Sequence, residues 1–450
     1  MTYELHLGDC IATMRAMPDN SVDSIVTDPP YELGFMGKAW DASGIAYSVE
    51  MWREALRVLK PGGHLLAFSG SRTYHRMAVA IEDAGFDIRD QIMWVYGSGF
   101  PKSQNVAKAI TGKEMGFGSN ATAIRRATMG SEYEPSGVRG NRDGVARSSN
   151  TGMMGRDLPL SSTARQWDGW GTALKPAHEP ICVARKPLAK GMTVAANVLQ
   201  FGTGAINVDG CRVETSDNLN GGAYADEGGR IVSGAMGASG MNVPGKTAGV
   251  EFVQPVGRWP ANLIHDGSDE VAALFPGQSS GSRAAGVRAG MGFHGADGDG
   301  GSAITGSSGS AARFFYCAKA SRVDRNEGLA SLGEAVVAKD ATMRDCETAD
   351  WSARNGNHHP TVKPTELMAY LARLVTPPCG LVLDPFMGSG STGKACMREG
   401  FRFTGIDMTP EYVEIARARI AHELAEVTLA NTPPPPAPQL DLFAMEKEVA

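Results

Sequence analysis

Strand-like and helix-like segments alternate over the first hundred residues of this 450-residue chain, stop, and resume over its last ninety. That alternation constrains the fold most, because strands joined through helices build a parallel sheet covered on both faces. The first stretch reads as strand Tyr3–Leu7, helix Ile11–Met17, strand Val22–Val26, helix Val49–Leu59 closed by KPGG (60–63), strand His64–Phe68, helix Tyr74–Ala84 and strand Ile88–Val95. The last reads as helix Pro364–Val375, strand Leu381–Leu383, helix Thr392–Glu399, strand Phe401–Ile406 and a helix toward Leu424 with Thr409 as N-cap and Pro410 at N1. The joins EDAGF (82–86) and REGF (398–401) each put Gly just past a helix and Phe next, the left-handed C-cap with hydrophobic closure. The expected fold class is α/β, one domain with its halves at opposite ends of the chain.

Between the halves the composition changes. Phe201–Ser310 holds 25 of the 56 glycines, and GMGFHGADGDGGSAITGSSGS (290–310) reads as loop. Ordered-looking islands interrupt it: HEPICVARKPL (178–188), GRWPANLIHD (257–266) and RFFYCAK (313–319), the last with Phe314, Phe315 and Tyr316 expected in a buried strand. The net charge is −6, yet Pro101–Lys190 carries 14 Lys and Arg against 7 Asp and Glu, which leaves −13 for the remainder. A basic segment in an acidic chain suits phosphate contact, with a solvated surface as the alternative. No apolar run nears the ~20 residues of a membrane span, and MTYELHLGDC lacks a basic region followed by an apolar one. The seven cysteines are scattered without a CxxC pair, as in a cytoplasmic protein with reduced thiols and no zinc site.

Two motifs carry chemistry. SIVTDPPY (24–31) runs an apolar strand into an acid, two prolines and an aromatic ring. Pro29 and Pro30 end strand pairing because neither has an N–H. A plain turn would account for them, but not for Asp28 before or Tyr31 after. LVLDPFMGSGSTGKAC (381–396) is strand, glycine loop and helix, with Gly388, Gly390 and Gly393 satisfying GxGxxG and Asp407 ending the next strand. That arrangement holds an adenosine cofactor at a helix N-terminus, with an acid on the ribose. A pyrophosphate would meet a repelling charge at Asp384, whereas the cationic S-adenosylmethionine would gain from it. Asp384 as a structural cap is the alternative.

DPPY (28–31) and DPFMGSGSTG (384–393) together resemble the catalytic and cofactor motifs of the amino-methylating DNA methyltransferases. NHHPTVKP (357–364) resembles the segment before that family's cofactor strand, and GDC (8–10) its adenine-contacting acidic turn. The catalytic motif precedes the cofactor motif, as in the family's permuted β-type order. GSGFPKSQNVAKAI (97–110) and LKPAHEPICVARKP (174–187) resemble phage and prophage members. The resemblance covers about 190 residues and implies a permuted Rossmann-like S-adenosylmethionine-dependent methyltransferase fold. Its expected parts are a catalytic half (1–100), an inserted, loop-rich DNA target-recognition region (101–312), a cofactor half (313–428) and a Pro-rich tail (429–450).

The resemblance implies methyl transfer to adenine N6 in double-stranded DNA, with cytosine N4 as runner-up and a silent DNA-binding protein on the same fold as a different class. RNA- and protein-glutamine-methylating relatives tend to carry Asn where this chain has Asp28, and a NAD-dependent oxidoreductase would not need DPPY. The exocyclic amine is a poor nucleophile; Asp28 and the Pro29 carbonyl supply acceptors for its hydrogens, Pro30 stiffens the turn and Tyr31 stacks on the flipped base. No metal is required. By resemblance Phe386, Gly388 and Gly390 line the methionine end of the cofactor, Asp407 takes the ribose and Asp9 sits near the adenine amine. Thr361 and Lys363 hold its carboxylate, or Lys363 is an ordinary lysine at a helix start. Trp40 and Trp94 border the base pocket or, for Trp94 above all, pack the core. Lys102, Arg125 and Arg126 are candidate phosphate contacts, in a monomer or homodimer. In the tail, Pro433–Pro436 projects Gln439, Leu440, Asp441, Leu442 and Phe443, which resemble a peptide that docks on the bacterial sliding clamp, or fold back onto the enzyme.

Overall fold

The computed structural model describes residues 2–33, 39–99, 103–114, 160–215, 217, 219, 256–279, 308–318, 321–329, 357 and 359–431. They divide into one unit of Met1–Trp94, Glu179–Gly333 and His359–Ala450 and a second of Val95–His178 and Glu334–His358. In chain order the strands are β1 (Tyr3–Leu7), β2 (Val22–Thr27), β3 (Leu59–Phe68), β4 (Asp87–Val95), β5 (His178–Arg185), β6 (Val213–Glu214), β7 (Gly257–Arg258), β8 (Leu263–His265), β9 (Gly277–Ser279), β10 (Ser308–Ser310), β11 (Tyr316–Cys317), β12 (Leu381–Asp384) and β13 (Arg402–Asp407). Nine of them form one sheet in the order β1-β13-β12-β2-β3-β5-β4-β8-β11, while β6 with β7 and β9 with β10 make antiparallel pairs.

Strands from the two chain ends interleave. β12 and β13, read from the far end, lie between β1 and β2, all parallel, and β3 continues parallel to β2. Every residue of β2 is buried, the polar Asp23, Ser24 and Thr27 along with Val22, Ile25 and Val26, as in a central strand with both faces covered. Met14, Ile25, Met51, Trp52, Leu65, Ile81, Leu383 and Ile406 share one core, drawn from both ends of the chain. Asp23 is buried within β2 because Lys60 Nζ meets Oδ1 at 2.5 Å and the Leu381 N–H meets Oδ2 at 2.7 Å.

Most element bounds fall within a residue of expectation, and three features differ. KPGG does not close a helix; it is the start of β3, where Gly62 at φ 78° donates to the Lys186 and Pro187 carbonyls and the register with β2 shifts. β5 runs antiparallel to β3, with His64 opposite Arg185 and Phe68 opposite Ile181, so the sheet is mixed and not all parallel. Phe314 ends a short 3-10 helix (Ala311–Phe314), only Tyr316 of the three aromatics is in a strand, and all three are half-buried; the Tyr316 ring stacks on Tyr370 at 3.9 Å.

The interval 101–312 is not one separate body, since β5 and β8 belong to the main sheet. Within the second unit, helix Val106–Glu114 is preceded by Asn105, which bridges to Gly171, and the Tyr96 N–H donates to the Ala177 carbonyl. The last helix runs Pro410–Ala430, past Leu424, and the residues from 432 on lie outside those described. Among the described residues no helix is long and apolar enough to cross a membrane, and no group of His, Cys, Asp and Glu is arranged to hold a metal.

Candidate functional site

Four parallel strands end side by side. β1 stops before Asp9, β13 at Asp407, β12 at Asp384 and β2 just before Asp28, so the four carboxylates crown one edge of the sheet. In an open α/β sheet that carboxyl edge is where ligands bind. Gly8 donates to the Asp407 carbonyl at 2.9 Å, and Asp9 caps helix Cys10–Ala16 by accepting from Ala12 N–H at 2.8 Å.

The glycine loop has steric reasons at each position. Gly388 (φ 52°) faces His359, whose Nε2 would lie 2.8 Å from an added Cβ. Gly390 (φ 78°) starts helix Ser391–Glu399 against Ala416 Cα, again 2.8 Å away, and Gly393 packs on Ile420 and Phe403. Asp407 Oδ2 accepts from Gly388 N–H at 2.9 Å and Oδ1 from Thr409 N–H at 2.8 Å, which aims the carboxylate along the loop; burial raises its pKa. Burial also pushes His359 down to about 4, leaving the imidazole neutral beside Tyr412. Phe386 is half-buried against the core.

Asp384 takes the alternative reading, a structural cap. Its Oδ1 accepts from Thr27 Oγ1 (2.7 Å) and Phe386 N–H (3.1 Å), and its Oδ2 from Thr392 Oγ1 (2.6 Å). Burial pushes its carboxyl up to about 6. It ties β2, β12 and helix Ser391–Glu399 together, so the charge argument that set it against a pyrophosphate loses its geometry. A different observation bears on phosphate. Lys394, in the loop's own helix, is fully buried and bound to Asp324 (2.7 Å), Glu327 and Glu423 (3.5 Å), while Arg419 is buried on Ser389 and Ser391. These two cations are committed inward, which fits an adenosine cofactor without phosphates.

Asp28 meets a partner that motif reading put elsewhere. Lys363, expected at a cofactor carboxylate, instead places Nζ 2.7 Å from Asp28 Oδ2, 3.1 Å from Tyr31 Oη and 3.2 Å from Glu179 Oε2. Only 7% of Lys363 is exposed, and a carboxylate buried beside it needs that counter-charge. Tyr31 donates to the same Glu179 oxygen at 2.7 Å. Burial raises the Asp28 carboxyl and Lys363 opposes that rise. Burial works against the lysine charge, but Asp28 and Glu179 more than offset it and hold its pKa above the usual value. Tyr31 is pushed up by burial and by both carboxylates, so it stays a donor. Asp28 Oδ1 is buried and finds no hydrogen-bond partner among the described residues.

The structure thus brings Asp28, Tyr31, Asp384, Phe386, Gly388, Gly390, Asp407 and Asp9 to one sheet edge, with Pro29 buried in the turn. Thr361 is exposed, with its backbone on His359. Trp94 is buried in β4, as core packing requires. The Trp40 side chain, Lys102, Arg125, Arg126 and 439–443 lie outside what is described. Glu179 escaped sequence reading; its only signal was its place at the head of the ordered island 178–188.

A family model described as DNA methylase matches residues 22–207 and 314–418. Over 65 residues the chain is 46% identical to the type II methyltransferase M2.DpnII of Streptococcus pneumoniae, 14% of this chain and 24% of that protein. The matched stretches span under a third of the length of the curated relatives. Among solved structures, the M1.HpyAVI–SAM complex is 15% identical with a TM-score of 0.35, covering 93% of this chain and 99% of that one. The PvuII DNA methyltransferase, described as cytosine-N4-specific, is 12% identical with a TM-score of 0.40, covering 93% and 86%.

Proposed function

The chain belongs to the DNA methylase family, and on that premise we propose that it methylates an exocyclic amine of a base in DNA, adenine N6 first. The observation that carries the reading is Asp28 Oδ1: a buried acceptor without a partner among the described residues, at the tip of β2, beside the glycine loop that follows β12. Such an atom is costly unless a ligand donor completes it. The N–H of an amine is that donor.

S-adenosylmethionine is the proposed cofactor, supported by Gly388 and Gly390, by Asp407 aimed along the loop and by the inward commitment of Lys394 and Arg419; when bound it supplies an electrophilic methyl group on a sulfonium. The remaining work belongs to the chain. Asp28 Oδ1 and the Pro29 carbonyl accept the two amine hydrogens and hold the nitrogen lone pair toward the methyl carbon, with no reorganisation in a turn stiffened by Pro30. The base must leave the duplex to reach them, and the Tyr31 ring offers it a face. Asp28 then takes the proton that the alkylated nitrogen loses. The basic stretch 101–190, with Lys102, Arg125 and Arg126, is proposed to contact the DNA backbone, and Gln439–Phe443 to dock on a sliding clamp in the cytoplasm.

The test is tritiated S-adenosylmethionine with unmethylated bacterial DNA, followed by mass spectrometry of the digested nucleosides. N6-methyladenine is expected, N4-methylcytosine would move the reading to the other base, and no labelled nucleoside would end it. Asp28→Ala should lower the rate by on the order of 10²–10³-fold with cofactor affinity within a few-fold.

A further inference from the structure

An ammonium group on the acceptor carboxylate looks self-defeating, because it competes with the amine that Asp28 must receive. The geometry resolves this. Lys363 Nζ engages Oδ2 only, at 2.7 Å, and Oδ1 is left over. Asp28 and Lys363 alone sum to zero charge; Glu179 Oε2, 3.2 Å from the same Nζ, returns the group to −1. Tyr31 accepts from Lys363 at 3.1 Å and donates to Glu179 at 2.7 Å, while the Phe68 ring centroid lies 5.0 Å from Nζ. The lysine is therefore held by three polar partners, none of them Oδ1.

We infer that Lys363 and Glu179 are positioning residues: Lys363 pins Oδ2 so that Oδ1 alone meets the amine, and Glu179 offsets the lysine charge so that the cluster still attracts the cation developing on nitrogen. The inference rests on the proposed amine methylation. As the nitrogen lone pair forms the N–C bond, the C–S pair departs with sulfur, nitrogen becomes cationic, and its proton then passes to Oδ1. A cluster of net −1 stabilises that nitrogen more strongly than a neutral one. The groups facing Asp28 are Lys363 from the segment before helix Thr365–Val375, Glu179 from β5, Tyr31 from its own turn and Asp384 from the tip of β12.

The charge logic gives opposite signs for two variants. Glu179→Gln keeps a hydrogen-bonding side chain but removes a charge that raises the Asp28 pKa, so the acid limb of the single-turnover rate should move to lower pH. Lys363→Gln removes a charge that lowers it, so the limb should move to higher pH. In Glu179→Gln the plateau rate should fall on the order of 100-fold, with DNA and S-adenosylmethionine dissociation constants within about twofold. The same opposed shifts should appear without DNA or cofactor in the ¹³C-carboxyl titration of Asp28, assigned with Asp28→Asn. Shifts of the same sign, or none, in that titration would overturn the inference whatever the rates do. Opposed shifts in a protein that methylates no DNA would support the coupling and remove only the methylation reading.

Discussion

Asp384 shows how one residue type serves two ends in one sheet edge. Asp28 follows β2, Asp384 ends β12 and both precede proline, yet among the described residues one keeps an oxygen without a partner and the other has both oxygens engaged. The difference lies in their neighbours: Thr27 and Thr392 donate to Asp384, and no hydroxyl of the described residues reaches Asp28 Oδ1. Because burial lifts Asp384 to about 6 in the folded protein, above its unfolded value of about 4, the native state binds that proton more tightly. Its contribution to stability is then fully present below about pH 4 and is lost as pH rises through about 6. Asp384→Asn, which keeps the shape without titrating, should remove this slope. In thermal denaturation the margin of the wild type over Asp384→Asn should shrink as pH rises from about 4 to about 6; a margin that grows would reverse the sign of the shift.

At the scale of elements, the glycine loop and β5 carry opposite lessons. Gly388 and Gly390 were legible as a strand–loop–helix motif, and the structure supplies the reason: both hold positive φ where a side chain would strike His359 or Ala416. Gly390→Ala should cost about 1–2 kcal/mol for the left-handed backbone and about 1–3 kcal/mol more for overpacking. Gly44→Ala is the control, since Gly44 has a similar φ of 75° with open space around it, and should show the backbone cost alone. Equal falls in Tm for the two variants would remove the packing argument. β5, by contrast, read as an ordered island of no stated direction. Its antiparallel entry places its first residues beside Phe68, at the carboxyl edge of β3, and that is how Glu179 arrives at the site.

For the whole molecule, charge and tail set the remaining expectations. The basic stretch 101–190 sits in a chain of net charge −6, so its work is local. Replacing Lys102, Arg125 and Arg126 together by Gln should flatten the salt dependence of DNA binding by about one logarithmic unit for each phosphate no longer neutralised. An unchanged slope would place the DNA path elsewhere. The triple change Gln439→Ala, Leu442→Ala and Phe443→Ala should abolish capture by an immobilised sliding clamp and leave methylation of free oligonucleotides intact. Clamp capture that persists would discard the docking proposal.

The α/β class, the split between chain ends and the DPPY and glycine-loop motifs were all legible in the sequence, because each is written in local periodicity or in a contiguous run. What sits beside Asp28 was not. Lys363 and Glu179 lie 335 and 151 positions away along the chain from it, and only the interleaving of strands from both ends, with β5 reversed, brings them within hydrogen-bonding distance. Asp384 was ambiguous for the same reason: its role depends on Thr27, 357 residues distant in the chain, and β2 pairs with β12 only in the folded sheet. Local sequence determines which segments are strands and which turns are rigid; the order and direction of strands decide which charges meet, since a carboxylate leaving water is ruled by whatever cation or donor the sheet places next to it.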